Sequence, residues 1–146
     1  MKSNSGRALI LLRALRAAAE HDRRTIMDLC TDDLRTWTSN TSTATLDDLV
    51  AALDRRDVVF SDMQLEAHPL DVGGAAACAE WTLTMTHSGS IDIDGSTIAP
   101  TGAQITMNGV TVAEFRGDRI CSIRQYWDEL DVLRQLQPLE PATKSR

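Results

Sequence analysis

The sequence predicts an α+β fold, and three observations predict it. In the first half apolar residues recur at helical spacing, as in Leu11, Leu12, Leu15, Ala18 and Ala19. From residue 58 to residue 127 the spacing changes to alternation of apolar and polar residues, the period of a strand. A short "RGD" at 116–118 joins the last two alternating runs and reads as a tight hairpin, so those strands pair antiparallel. Helices first and an antiparallel sheet second give the class.

The first helix is read over residues 6–21. Its "RALILLRALRAAAEH" has the outline of a secretory leader, but Arg13 and Arg16 interrupt the apolar run, and the expectation is an amphipathic helix of a cytoplasmic protein. The second helix is read in "DRRTIMDLCTDDL", with Ile26, Leu29 and Leu34 on one face. The third is "TLDDLVAALDRR", where Thr45 caps the helix and Asp48 stands at its third position. Between them "RTWTSNTSTA" reads as a polar loop around Trp37. Strands are read at 58–68, 75–87, 103–116 and 119–127, separated by "PLDVGG", "SGSIDIDGSTIAPTG" and "RGD". "DELDVLRQL" returns to helical spacing. One domain therefore spans residues 1–137, and 138–146 read as a frayed C-terminal tail.

The 146 residues suffice for one core and leave no room for a second domain. Apolar residues make up 42% and charged residues 25%, which argues against disorder and against a membrane span. With a net charge of −6 and fifteen Lys and Arg scattered through both halves, nucleic acid is excluded as an expected partner. Cys30, Cys78 and Cys121 lack the paired spacing of a zinc site and read as small core residues in a reducing compartment. The inner face offers one histidine and no carboxylate to share a metal, so no metal is expected. "RGD" is read as a turn and not as an adhesion motif.

Alternate strand residues face opposite sides. One set is Trp81, Leu83, Met85 and His87, then Ile105, Met107, Gly109, Thr111, Ala113 and Phe115, then Cys121, Ile123, Gln125 and Trp127. This face is apolar except for His87, Thr111 and Gln125. An amide left unpaired inside costs about 1–3 kcal/mol, so Gln125 is either satisfied within the core or waits for a ligand, and both readings stand. His87 is either an idle residue at a strand end or the inner group that transfers a proton near neutral pH. His21 and His68 read as surface residues. Trp37, Trp81 and Trp127 are core fillers or flat pocket walls with an indole donor. Asp128 is placed to cap the last helix. The outer face, with Thr82, Thr84, Val110, Val112, Glu114, Arg124 and Tyr126, is mixed enough to suggest a sheet surface that pairs with a second copy as a homodimer.

"THSG" at 86–89, "PTG" at 100–102, "GVTVAEFRGDRI" at 109–120 and "YWDELDVLRQL" at 126–136 occur in an order that resembles the SnoaL-like polyketide cyclases, within the larger fold group of nuclear transport factor 2 and ketosteroid isomerase. The resemblance implies a cone-shaped barrel, with N-terminal helices packed on the concave face of a curved antiparallel or mixed sheet around a mostly apolar cavity. It also implies cofactor-free acid/base chemistry on polyketide or polycyclic intermediates, and often a dimer. Residue by residue, the aldol cyclases look to carry an aspartate where this chain has Gln125 and a histidine where it has Thr111. The acidic residue of ketosteroid isomerases would fall near Thr38. His87 and Asp128 match family positions.

The expected function is a cofactor-free tailoring enzyme of secondary metabolism, such as antibiotic biosynthesis, that closes or isomerises a ring of a hydrophobic intermediate. Its catalytic group is His87, Gln125 and Thr111, and its pocket is Trp37, Trp81, Met85, Met107, Ile123, Trp127 and Asp128. The alternatives are a non-catalytic binding or accessory protein of the same fold, favoured by the missing carboxylate, and an epoxide hydrolase. The last ranks lowest because Arg124 falls on the opposite strand face.

Overall fold

A computed structural model describes residues 2–93 and 95–136, so the expected tail at 138–146 lies outside the described residues. In chain order the elements are α1 (Lys2–Ala19), α2 (Arg23–Leu29), β1 (Cys30–Trp37), β2 (Ser42–Thr43), α3 (Leu46–Val59), β3 (Phe60–Leu70), β4 (Ala77–His87), β5 (Ile91–Ile93), β6 (Ser96–Ile98), β7 (Gln104–Arg116), β8 (Arg119–Trp127) and α4 (Glu129–Leu136). Six strands form one sheet in the order β2-β1-β8-β7-β4-β3, and β5 and β6 pair separately. Among the described strands only β1 and β8 run parallel, which makes the sheet mixed. The architecture is the expected NTF2-like α+β fold.

Local chemistry sets the helix ends. Asp22 caps α2 by accepting the Thr25 N–H at 3.1 Å, and Thr45 caps α3 by accepting the Asp48 N–H at 3.1 Å. The apolar stripe of α1 packs Leu11, Ala14 and Ala17 against Leu29, Leu34, Ala77, Ala79, Ala113, Ile120 and Ile123, which closes the helices over one face of the sheet.

Two expectations need correction. The second helix does not run through "CTDDL": it ends at Leu29, and Cys30–Trp37 is β1. Leu34 lies five residues beyond Leu29, off the helical repeat, and the β1 backbone finds its hydrogen bonds by lying beside β8. The loop read at 35–44 thus holds the end of β1 and all of β2. The segment read as loop at 88–102 contains the β5–β6 hairpin, whose turn includes Gly95 at φ +80.

Bulges shift the faces as well. The β7–β8 register slips between Glu114 and Phe115, so Phe115 pairs with Ile120. Ile120 is therefore fully buried, while Cys121, assigned inward by simple alternation, is half-buried. In β3 the slip between Ser61 and Gln64 coincides with Asp62 at φ +54. Burial pushes the Cys30 thiol up to about 11 and raises that of Cys78, as inert core thiols require.

Candidate functional site

The register sorts the inner-face residues into rows. β7 pairs Thr111 with Gln125 and Gly109 with Trp127, and β4 pairs Ala79 with Thr111 and Trp81 with Gly109. Gln125, Thr111 and Ala79 thus share one row, with Trp127, Gly109 and Trp81 in the next. The Trp81 Nε1–H donates to Thr111 Oγ1 at 2.8 Å, and both residues are buried. The hydroxyl that accepts this bond still has its own proton to donate. Gln125 is half-buried; no hydrogen bond joins its amide to another described residue, and the amide is not enclosed but still meets solvent.

The rim carries polar anchors. Trp127 Nε1–H donates to Glu129 Oε1 at 2.7 Å, and Asn40 donates to Glu129 Oε2 at 3.3 Å, which ties the turn after β1 to the start of α4. Trp81 and Trp127 stand 6.5 Å apart between ring centroids, tilted by 57°. Asp128 is exposed and accepts the Asp131 N–H at 3.1 Å, so it caps α4 as the sequence suggested. A cleft of about 620 Å³ opens mainly on the outer face, between His68, Glu80, Thr82, Asn108, Val110 and Tyr126, with Trp81, Gly109, Trp127 and Asp128 at its edge, and neither Thr111 nor Gln125 lines it. Thr38 follows Trp37, whose partner is Arg124, and its hydroxyl accepts the Asn40 and Thr41 N–H groups of its own turn.

His87 is not part of this constellation. It lies eight residues along β4 from Ala79, the partner of Thr111, which is about 26 Å of strand. Its ring is fully buried, 5.8 Å from that of Phe60. Nδ1 accepts the Thr101 N–H at 3.3 Å and lies 3.0 Å from the Thr101 hydroxyl, while Nε2 is buried without a partner among the described residues. The His87 N–H donates to the Ala103 carbonyl and the Gly102 N–H to the His87 carbonyl, each at 2.9 Å. "THSG" and "PTG" are therefore two halves of one clamp. Gly89 belongs to it, since a Cβ there would lie 2.0 Å from the Val58 carbonyl oxygen.

Trp37 also stands apart. It is 45% exposed on the outer face, with its ring 5.2 Å from that of Tyr126. Met85 and Ile123 are buried and Met107 is half-buried on the inner face. Arg124 pairs with Glu114 on the outer face at 2.5 Å. Among the described residues no group of three His, Cys, Asp or Glu side chains is placed to hold a metal. Sequence reasoning passed over Glu129 and Asn40, because a first-turn acid and a loop amide carry no signal until the chain brings them together.

No curated protein matches the chain by sequence. Among solved structures the fold is similar to a candidate SnoaL-like polyketide cyclase from Jannaschia sp. CCS1, at TM-score 0.80 and 17% identity over 94% of this chain and 95% of that one. TsrD from Streptomyces laurentii superimposes at TM-score 0.77 and 21% identity over 92% and 97% of the two chains. An LEH-like epoxide hydrolase from M. tuberculosis follows at 0.71 and 18%, over 91% and 90%. At these identities the likeness is one of fold alone. The family model for SnoaL-like polyketide cyclase matches residues 8–136, and the chain belongs to that family.

Proposed function

We propose that the chain is a tailoring enzyme of secondary metabolism, such as antibiotic biosynthesis, that binds a hydrophobic polyketide-like intermediate and promotes ring closure or isomerisation without a cofactor. The observation that carries this reading is the half-buried, unpartnered Gln125 amide beside the buried Thr111–Trp81 pair. A glutamine neither takes nor gives a proton at neutral pH, but its N–H groups hold and polarise a substrate carbonyl. Thr111 supports that oxygen with its free hydroxyl proton, and Trp127 forms a wall. Because no carboxylate or imidazole stands in these two rows, catalysis rests mainly on holding a reactive chain in the folded geometry from which it closes.

With a hydrophobic polyketide intermediate as substrate, Gln125→Leu should lower kcat by roughly 10²–10³, the scale of one lost carbonyl-binding donor. Its Tm should hold or rise, since an amide no longer has to be desolvated. His87→Ala should do the reverse, lowering Tm through the lost Thr101 clamp while leaving kcat within about threefold of wild type. Undiminished turnover in Gln125→Leu would sink the reading.

The same missing titratable group favours a second reading, a binding or accessory protein that returns its ligand unchanged. Product analysis after prolonged incubation separates the two. We further infer a homodimer formed through the outer sheet face, where Trp37 and Tyr126 expose nearly half of their surfaces. Light scattering at micromolar concentration should give twice the 16.0 kDa chain mass. A cytoplasmic location is part of the same proposal. Among the described residues no helix is long and apolar enough to cross a membrane.

A further inference from the structure

The inner face under β3, β4 and β7 is filled. Trp81, Leu83, Met85 and Ile105 are buried there, and α4 covers them with Val132 and Leu136, which are 7% and 3% exposed. Met63 and Met107 join Met85 in the same cluster, giving three unbranched thioether side chains that repack at low cost. The eight described residues of α4 make only two turns, which persist by docking, so the contacts that dock it decide whether this face is covered.

The docking device is Gln135. β8 stops pairing with β7 at Gly109 and Trp127, which leaves the β7 edge open beyond that point. Gln135 takes the place of the missing strand. Its Oε1 accepts the Thr106 N–H at 2.8 Å, and its Nε2 donates to the Thr106 carbonyl at 2.8 Å. One side-chain amide thereby satisfies both backbone groups of a strand residue. Asp131, one turn earlier, accepts from the same Nε2 at 3.1 Å and helps fix the amide's orientation.

We propose that α4 is a displaceable plug: a flat hydrophobic ligand gains the inner face by taking the volume of Val132 and Leu136, and Gln135 is the positioning residue that sets how readily α4 yields. This rests on the reading of the inner face as the ligand site. Where the covered state dominates, apparent affinity is reduced by the fraction of open molecules, so weakening the latch tightens binding. Two ordinary hydrogen bonds shift such a balance on the order of tenfold.

The test uses 1,8-dihydroxyanthraquinone as the probe, with the full chain and its Gln135→Ala variant, read by tryptophan quenching and amide hydrogen exchange. Gln135→Ala should bind the probe about tenfold more tightly than wild type while melting at a lower temperature, a pairing that loss of a merely structural contact does not produce. In wild type, saturating probe should speed exchange of the amides at 132–136, although ligands ordinarily slow it. Equal or weaker binding by Gln135→Ala, or unchanged or slowed exchange in α4, overturns the plug. If the probe quenches tryptophan while α4 stays protected, the plug fails and the inner-face site stands. If the probe binds neither protein, both fail.

Discussion

Asp57→Ala is expected to lower folding stability by about 3 kcal/mol, because it strips the partly buried Arg56 of its counter-charge and takes from Arg23 one of its two. Asp57, near the end of α3, takes hydrogen bonds from Arg23 and, at 3.0 Å, from Arg56, and lies 2.6 Å from His21 Nδ1. Arg56 reaches on to the Ala18 carbonyl at 2.5 Å, and Arg23 to Asp54 at 2.9 Å, so this single carboxylate joins the end of α1, the start of α2 and α3. Side-chain exposures of 15% for Asp57, 20% for Arg23 and 25% for Arg56 place the cost above that of a surface pair, yet at the low end for a buried one. Asp57→Asn keeps the shape without the charge and should recover little. Denaturant unfolding of both variants decides the matter, and a loss under about 1 kcal/mol would mark the network as solvated surface.

The same site sets a pH dependence. Burial pushes the Asp57 carboxyl up, but hydrogen bonds from His21 and Arg23 and the charge of Arg56 outweigh it and hold the group below the usual carboxylate range. A depressed folded pKa gives stability that is fully present above the unfolded value, about 3.9, and is lost as pH falls through the folded one. Wild type should therefore lose margin below about pH 4, and Asp57→Asn should show a flatter acid limb.

The long periodic elements were legible in the sequence because each buries one face over several turns or pleats: α1, α3 and the four long strands fall within a few residues of their expected positions. β1 was not, because its partner β8 lies some ninety residues away and parallel pairing leaves no local turn signal. Alternation placed His87, Thr111 and Gln125 on one face, and all three do point inward or lie half-buried. A period of two assigns a face, whereas only the register assigns a row, and the register sets His87 far down β4 from the other two. Trp37 was misplaced for the same reason that β1 was missed. Gln135 was invisible because its role depends on where β8 stops, a fact of topology and not of composition.

Gly109→Ala should cost about 3 kcal/mol, at the upper end for an overpacked site, and should also disarm the candidate site. No positive φ protects this glycine, so the penalty is steric. An added Cβ would lie 2.5 Å from Trp81 Cζ2, 2.6 Å from its Cη2 and 2.7 Å from the Tyr126 carbonyl oxygen. The carbonyl belongs to β8 and is fixed by the ladder. The indole is 5% exposed and tethered to Thr111 through Nε1, so it moves only by giving up that bond. Thermal unfolding should report the loss, and probe binding should weaken as Trp81 leaves its place. Combining Gly109→Ala with Trp81→Phe gives the sharper check. The smaller ring relieves the contact with the indole but not the one with the carbonyl, so the double variant should lose clearly less stability than the two single losses added together. Simple additivity would mean that the indole does not lie in the gap the glycine leaves, and Trp81 would then owe its position to its strand neighbours alone.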